Sequence, residues 1–236
     1  ANTDVLVGVK AELDAPESSQ PNRGRLEFFV DCTANADPEF EGRGGEDLAL
    51  GISSALSQAF SSSNCLDLCS LCVLPGQQVW LLYVDVLILE CGGSLLDAVS
   101  LAVKAALMNT KIPAVTVNTT EEGSSEIEVS DDPYDVNNLE VSKVPCIVTL
   151  TRVGHQFVVD ATKEEQACSI GHLSVAVTES GSLTAVRKTG SGSLHPESIL
   201  DILQTAQEIG INLNQQLVEK VKLESSVKKD RRGFLT

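Results

Sequence analysis

The sequence is short of positive charge. Its 236 residues hold 17 Lys and Arg against 33 Asp and Glu, a formal net charge of −16. Bulk electrostatic attraction to nucleic acid is thereby excluded, and contact with RNA would need a local basic groove or a basic partner. The most basic stretch, VKKDRRGF near the C-terminus, reads as a solvated tail rather than a binding arm. Long apolar runs are missing too. The run from Val79 to Leu89 is interrupted by Asp85 and is too short to cross a bilayer, so no membrane span is expected. The first residues, ANTDVLVG, lack the basic start and apolar core of a secretory signal. The seven cysteines are odd in number, which points to reduced thiols in an intracellular compartment. In CLDLCSLC, Cys65, Cys69 and Cys72 sit close together, but no fourth ligand follows at zinc-site spacing. No metal and no other cofactor is expected. These cysteines read as small apolar residues in a helix-to-strand connection.

What is present suits a globular chain. Hydrophobic residues make up 42%, and the length allows one or two domains with a sizeable core. VLVGV at residues 5 to 9 reads as a strand with no turn or cap before it, so a segment upstream is expected. The polar loop APESSQPNRG leads to RLEFFVDCTA, a second strand expected to pair antiparallel with the first. After a Gly-rich loop ending near Gly45, Leu48, Ile52, Ala55, Leu56 and Phe60 recur at helical spacing. VWLLYVDVLILE reads as a central strand covered on both faces. The helix predicted from about Leu95 to Met108 is apolar nearly all round and should lie between layers.

Residues 117 to 136 are acidic and turn-rich, with an alternating EIEV that suits a hairpin. The predicted organisation is a first domain over 1–116, an acidic connection over 117–143 and a second domain over 144–236. In the second, VPCIVTLTRV, QFVVD, HLSVAVTE and LTAVRKT read as a four-stranded meander. Pro196 opens a long final helix whose stripe runs Ile199, Leu203, Ala206, Gly210, Leu213, Leu217 and Val221. Gly210 there costs about 1 kcal/mol against Ala, which suggests close packing. Each half is a set of strands with helices on one face, so the fold class is α+β, built twice.

One motif carries chemistry. LILECGGSLLD runs a strand into a Gly-Gly turn that opens a helix. Free N–H groups at a helix N-terminus suit a phosphate. Yet the turn holds no Lys or Arg, and Glu90 and Asp97 beside it would repel an anion. A dinucleotide site is disfavoured, because only two glycines are present, no Lys follows and no acidic ribose partner is placed at the right spacing.

Several stretches in order resemble the RNase PH family: TDVLVGVKAEL, PEFEGRGGEDL, YVDVLILECGGSLLDAVSLAVKAAL and VVDATKEEQACSIGHLSVAVT. The likeness covers nearly the whole chain. SDDPYD followed by VPCIVTL, and GSGSLHPESI, bring it nearest to ring subunits of the eukaryotic RNA exosome, of the ribosomal-RNA-processing type. The resemblance implies an RNase PH-like fold of two similar sheet-plus-helix halves. It implies as partners other RNase PH-type ring subunits, cap subunits and RNA threaded through the ring. It also implies a part in rRNA maturation and mRNA turnover, in the nucleus, nucleolus and cytoplasm.

Active members of that family split RNA from its 3′ end with inorganic phosphate. Their Gly-Gly turn is followed by Thr or Ser and an Arg that grips phosphate. Here the turn is Gly92, Gly93, Ser94, Leu95, so Leu95 takes the place of the Arg. Active members also carry two aspartates six residues apart after an apolar strand. Asp160 matches the first and Gln166 the second. Gln can neither give a proton nor ligate a divalent metal well. Gly92, Gly93, Ser94, Leu95, Asp160 and Gln166 therefore read as a vestigial phosphate and acid site with no catalytic residue. Arg43 stands where related proteins carry an Arg near the RNA path, or is an ordinary loop arginine paired with Glu41 or Glu46. The implied function is a non-catalytic ring subunit. The alternative is an active phosphorolytic 3′-to-5′ exoribonuclease, alone or through a site shared with a neighbour. His155, His172 and His195 show no catalytic spacing; His195 suits a helix cap and His172 a strand start.

Overall fold

The computed structural model describes residues 2–60, 65–119 and 125–226. The basic run VKKDRRGF lies outside them. Strand β1 (Asp4–Asp14) alternates strictly, turning Val5, Val7, Val9, Ala11 and Leu13 to one face. β2 (Arg25–Cys32), helix α1 (Gly44–Phe60), β3 (Cys72–Leu74) and β4 (Gln78–Glu90) follow. β4 is central: β1 pairs with it antiparallel on one side and β2 parallel on the other. The expected β1–β2 pairing is thus corrected, because the hydrophobic β4 takes the central position and keeps the two apart. A three-residue 3₁₀ turn at Pro38–Phe40, capped by the Asp37 side chain, leads into α1.

Helix α2 (Leu95–Asn109) lies with α1 against the inner face of this sheet. Val84, Val86 and Ile88 of β4 are buried beneath the helices, whereas Asp85 and Leu89 on the opposite face are exposed. β4 is therefore covered on both faces only over its first half, at Val79 to Leu82. In α1, Ile52, Ala55, Leu56 and Phe60 are buried, but Leu48 of the predicted stripe is exposed.

The acidic stretch and the residues just before it carry two short pairings. β5 (Lys111–Pro113) pairs with β8 (Val136–Asn138), and within them β6 (Val115–Thr119) pairs with β7 (Ser125–Val129) as the hairpin foreseen from EIEV.

The second sheet is antiparallel: β9 (Cys146–Val153), β10 (Gln156–Val159), β11 (Gly171–Val177) and β12 (Leu183–Thr189), in the order β10-β9-β11-β12. It is not a simple meander. Between β10 and β11 the chain passes through the short helix α3 (Lys163–Ala167) and returns to the far side of β9. β9 and β11 are buried on both faces. Val148, Leu150, Leu173, Val175 and Val177 face the final helix α4 (Pro196–Ser226), while Ile147 and Ala176 join the core formed with α1 and α2. The layers run sheet, helix pair, sheet, helix. In α4 the deepest residues are Ile202, Ala206, Gly210 and Asn214, a strict i+4 row. The leucines of the expected stripe flank it. A Cβ on Gly210 would lie 2.5 Å from Cβ of Val177, so the glycine lets helix and sheet approach. His195 immediately precedes α4, and its carbonyl accepts from Ile199 N–H; His172 is the second residue of β11.

α2 is buried between layers, as its composition demands, but it carries one buried cation. Lys104 is 1% exposed and donates to Val144 O at 2.8 Å and to Asn214 Oδ1 at 2.6 Å. Among the described residues no helix is long and apolar enough to cross a membrane.

Candidate functional site

The Gly-Gly turn between β4 and α2 rests on the loop between β10 and α3. Lys163 N–H donates to Gly92 O at 3.1 Å, Gly93 bridges to Thr162, and Ser94 Oγ donates to Ala161 O at 3.2 Å. The fold therefore brings Gly92, Gly93 and Ser94 against the segment between Asp160 and Gln166. Ser94 at φ 42° and Asp160 at φ 54° are both left-handed, a strained state for residues with a Cβ.

The glycines have a reason internal to the fold. A Cβ on Gly92 would lie 2.0 Å from Asn2 O, and one on Gly93, at φ +121°, would lie 2.3 Å from Ala161 O. Gly92 N–H already donates to Thr3 Oγ1 at 3.2 Å. The chain's own backbone thus occupies the side-chain space of both glycines, and the Gly92 N–H is not free for an anion.

Beyond the turn opens a cleft of about 490 Å³ between the helix pair and the inner face of the second sheet. Leu95 and Gln166 line it, with Leu48, Ile52 and Ala55 of α1 and with Thr149, His172, Ser174 and Arg187 of the sheet. Ser94 lines it as well; Gly92, Gly93, Asp160 and Arg43 do not. Asp160 is exposed. Arg43 is exposed just before α1 and makes no ion pair with Glu41 or Glu46 among the described residues.

Sequence spacing missed the charged groups that do line the cleft. Lys163 Nζ lies 2.5 Å from Asp37 Oδ2 and 3.6 Å from Glu39 Oε1. The hydrogen bond from Lys163 holds the Asp37 carboxyl below its ordinary range, and the same bond raises the lysine. Arg187 Nη1 donates to Gly51 O at 2.9 Å. His172 sits between Thr151 Oγ1 and Ser169 Oγ, each at 3.1 Å, and burial lowers its pKa, so it is neutral at pH 7. The two cations of the cleft are thus already engaged.

Of the acidic residues expected beside the turn, Glu90 is exposed and Asp97 is engaged. Asp97 does not face a turn-bound anion, contrary to expectation. Its carboxylate takes Thr149 N–H at 2.8 Å and Thr149 Oγ1 at 2.5 Å across the layer to β9. Burial pushes its pKa up to about 7 despite those bonds. Glu165 is held in a capping box, taking Thr162 N–H at 2.9 Å, so it does not stand in for an acid at position 166. Among the described residues no group of three His, Cys, Asp or Glu is arranged to hold a metal.

Two family models cover most of the chain. The 3′ exoribonuclease family domain 1 (RNase PH) matches residues 1–113, and domain 2 of the same family matches residues 143–209. The chain belongs to the RNase PH family. The RNase PH relatives include the exosome complex component Rrp42 of Thermococcus kodakarensis, 32% identical over 93% of this chain and 79% of that protein. Rrp42 of Pyrococcus furiosus is 33% identical over 87% of this chain and 72% of its own length. Among solved structures, a chain of the Archaeoglobus fulgidus exosome with RNA bound to the active site superposes with a TM-score of 0.74. It is 28% identical, over 91% of this chain and 79% of that one. The RNase PH-like fold in two α+β halves, expected from the sequence, is the fold observed.

Proposed function

We propose that this chain is a non-catalytic ring subunit of an RNA exosome. It would pack beside other RNase PH-type subunits and cap subunits around a channel through which RNA is threaded. Similarity to exosome Rrp42 components and to an RNA-bound exosome chain supports the assembly reading. The observation that carries the non-catalytic reading is the pair Leu95 and Gln166 on the walls of one cleft. Phosphorolysis needs a cation to hold the attacking phosphate and an acid to serve the leaving oxygen. An aliphatic side chain and an amide supply neither. Lys163 is next to the turn but neutralised by Asp37 and Glu39. Work in rRNA maturation and mRNA turnover, in nucleus, nucleolus and cytoplasm, belongs to the same proposal, as does a contact of Arg43 with the RNA path.

The test is direct. Purified full-length chain is incubated with RNA bearing a free 3′ end and inorganic phosphate. No nucleoside diphosphate should be released, while reconstitution with other ring subunits should yield a stable complex. Phosphate-dependent release by the chain alone would defeat the non-catalytic reading, and failure to join any ring subunit would defeat the assembly reading.

A further inference from the structure

The helix pair covers only one face of the first sheet. On the outer face Leu6 is 59% exposed, Phe29 52% and Leu89 42%, with Tyr83 and Leu87 half-buried among them. Register sets these side chains in rows across β1, β4 and β2: Leu6, Leu87 and Asp31 in one, Gly8, Asp85 and Phe29 in the next. Together they line a dent of about 360 Å³. Phe29 and Tyr83 flank it as a tilted aromatic pair, with ring centroids 5.9 Å apart.

Gly8 marks the dent. A Cβ there would meet nothing within 4 Å, so neither packing nor a turn calls for glycine at this strand position. A glycine inside a strand often marks where another group approaches the backbone. The charges around the dent point to the kind of group. Lys10 is paired with Glu12 and Arg25 with Glu27, so the lower part of the face is internally balanced. Neither Asp31 nor Asp85 forms an ion pair among the described residues; Lys10, already bound to Glu12, feels the Asp85 charge only from a distance. The dent therefore combines two carboxylates that lack an ion pair among the described residues with exposed leucine and aromatic surface, on a chain of net charge −16.

We propose that this outer face docks a basic segment of another protein, with one arginine entering over Gly8. Its guanidinium meets Asp85 and Asp31, its stem lies along Leu6 and Leu87, and its plane stacks against Phe29. Arginine fits better than lysine, because the planar fork serves carboxylates and an aromatic face together. An acidic or neutral partner would leave the carboxylates desolvated without compensation. This inference does not rest on loss of catalysis or on membership of a ring.

The test uses the full-length chain and two tripeptide probes, acetyl-Phe-Arg-Leu-amide and its citrulline counterpart, followed by backbone amide NMR shifts. The arginine probe should shift amides of Leu6, Gly8, Phe29, Asp31 and Leu87 and bind at least tenfold more tightly than the citrulline probe. Gly8→Val fills the dent without a clash and suits a strand, so the variant should fold while losing the arginine response. Asp31→Asn with Asp85→Asn should erase the preference for arginine, whereas Glu12→Gln should not. Equal response to both probes, an unchanged response in Gly8→Val, or shifts outside the face would overturn the proposal. So would concentration-dependent shifts of the face without probe, which would assign it to a second copy of this chain.

Discussion

Lys163 reaches Asp37 across 126 residues of chain and closes the cleft end beside the Gly-Gly turn. The only cation that the fold brings against that turn among the described residues arrives already neutralised, with Glu39 as a second acidic neighbour. Freeing it should recreate anion affinity. Asp37→Asn with Glu39→Gln is expected to make phosphate or sulfate raise the melting temperature of the variant but not of the parent. The effect should fade as ionic strength rises. No difference between the two proteins would show that Lys163 does not face the anion path.

Restoring the lost groups is a separate matter. Leu95→Arg with Gln166→Asp puts a guanidinium and a carboxylate on the cleft walls. Either change alone is expected to leave RNA intact. The pair should give slow, phosphate-dependent release of nucleoside diphosphate, measured by chromatography against a parent blank. Activity in the parent would contradict the role given to these two positions.

Asp97 makes stability depend on pH. Its folded pKa is about 7, against an ordinary value of 3.8. Between those values the folded chain holds a proton that the unfolded chain has lost. Its contribution to stability is therefore fullest below about pH 4, falls as pH rises toward 7, and is level above. The slope from this group is at most about 1.4 kcal/mol per pH unit. Urea unfolding of Asp97→Asn against the parent, from pH 4 to 8, should show the difference between them changing over that window. A constant difference would place the carboxyl in a more solvated setting.

Lys104 belongs to a network that ties four elements together, and its loss should be felt in all of them. Asn214 also accepts from Cys146 Sγ at 3.1 Å and donates to Val177 O at 3.0 Å, so the network joins α2, β9, β11 and α4. Lys104→Ala leaves a cavity and two acceptors short of a donor, a cost of about 3–5 kcal/mol. Lys104→Met keeps the volume and should cost less, because it also removes a buried charge. Adding Asn214→Leu to Lys104→Met should cost less than the sum of the two single changes, read from denaturant midpoints.

Gly210→Ala sets propensity against packing. The helix should gain about 1 kcal/mol from alanine. The added methyl, however, meets the whole Val177 side chain, with contacts from 2.5 to 2.8 Å. Overpacking of this kind costs about 1–3 kcal/mol, so the variant should be less stable than the parent in thermal unfolding. Gly210→Ala combined with Val177→Ala should lose less than the sum of the two single losses, because the Cγ contacts go while the Cβ contact stays.

Much of the fold was legible along the chain, because strand and helix periodicities are local properties. The strand β1, the apolar run of β4, the roundly apolar α2 and the Pro-initiated α4 were all foreseen. Pairing was less so. β1 and β2 both looked ready to form a hairpin, yet β4 competes for both and separates them. The return of β11 to the far side of β9 depends on α3, whose five residues carry too little periodicity to announce a crossover.

The candidate site divides in the same way. The replacements at Leu95 and Gln166 are matters of side-chain chemistry, and reading the residues sufficed to find them. Their placement on one cleft, and the burial of Asp97 against Thr149 rather than beside the turn, followed from layer packing.

The order of residues alone determined which chemistry this chain lacks, because an absent guanidinium or acid at a given position does not depend on its surroundings. Only the tertiary structure decided which groups replaced them around the cleft. Lys163, Asp37 and Arg187 lie far apart in sequence, and no local rule couples them. They line one cleft because the inner faces of both sheets are buried against one helix pair.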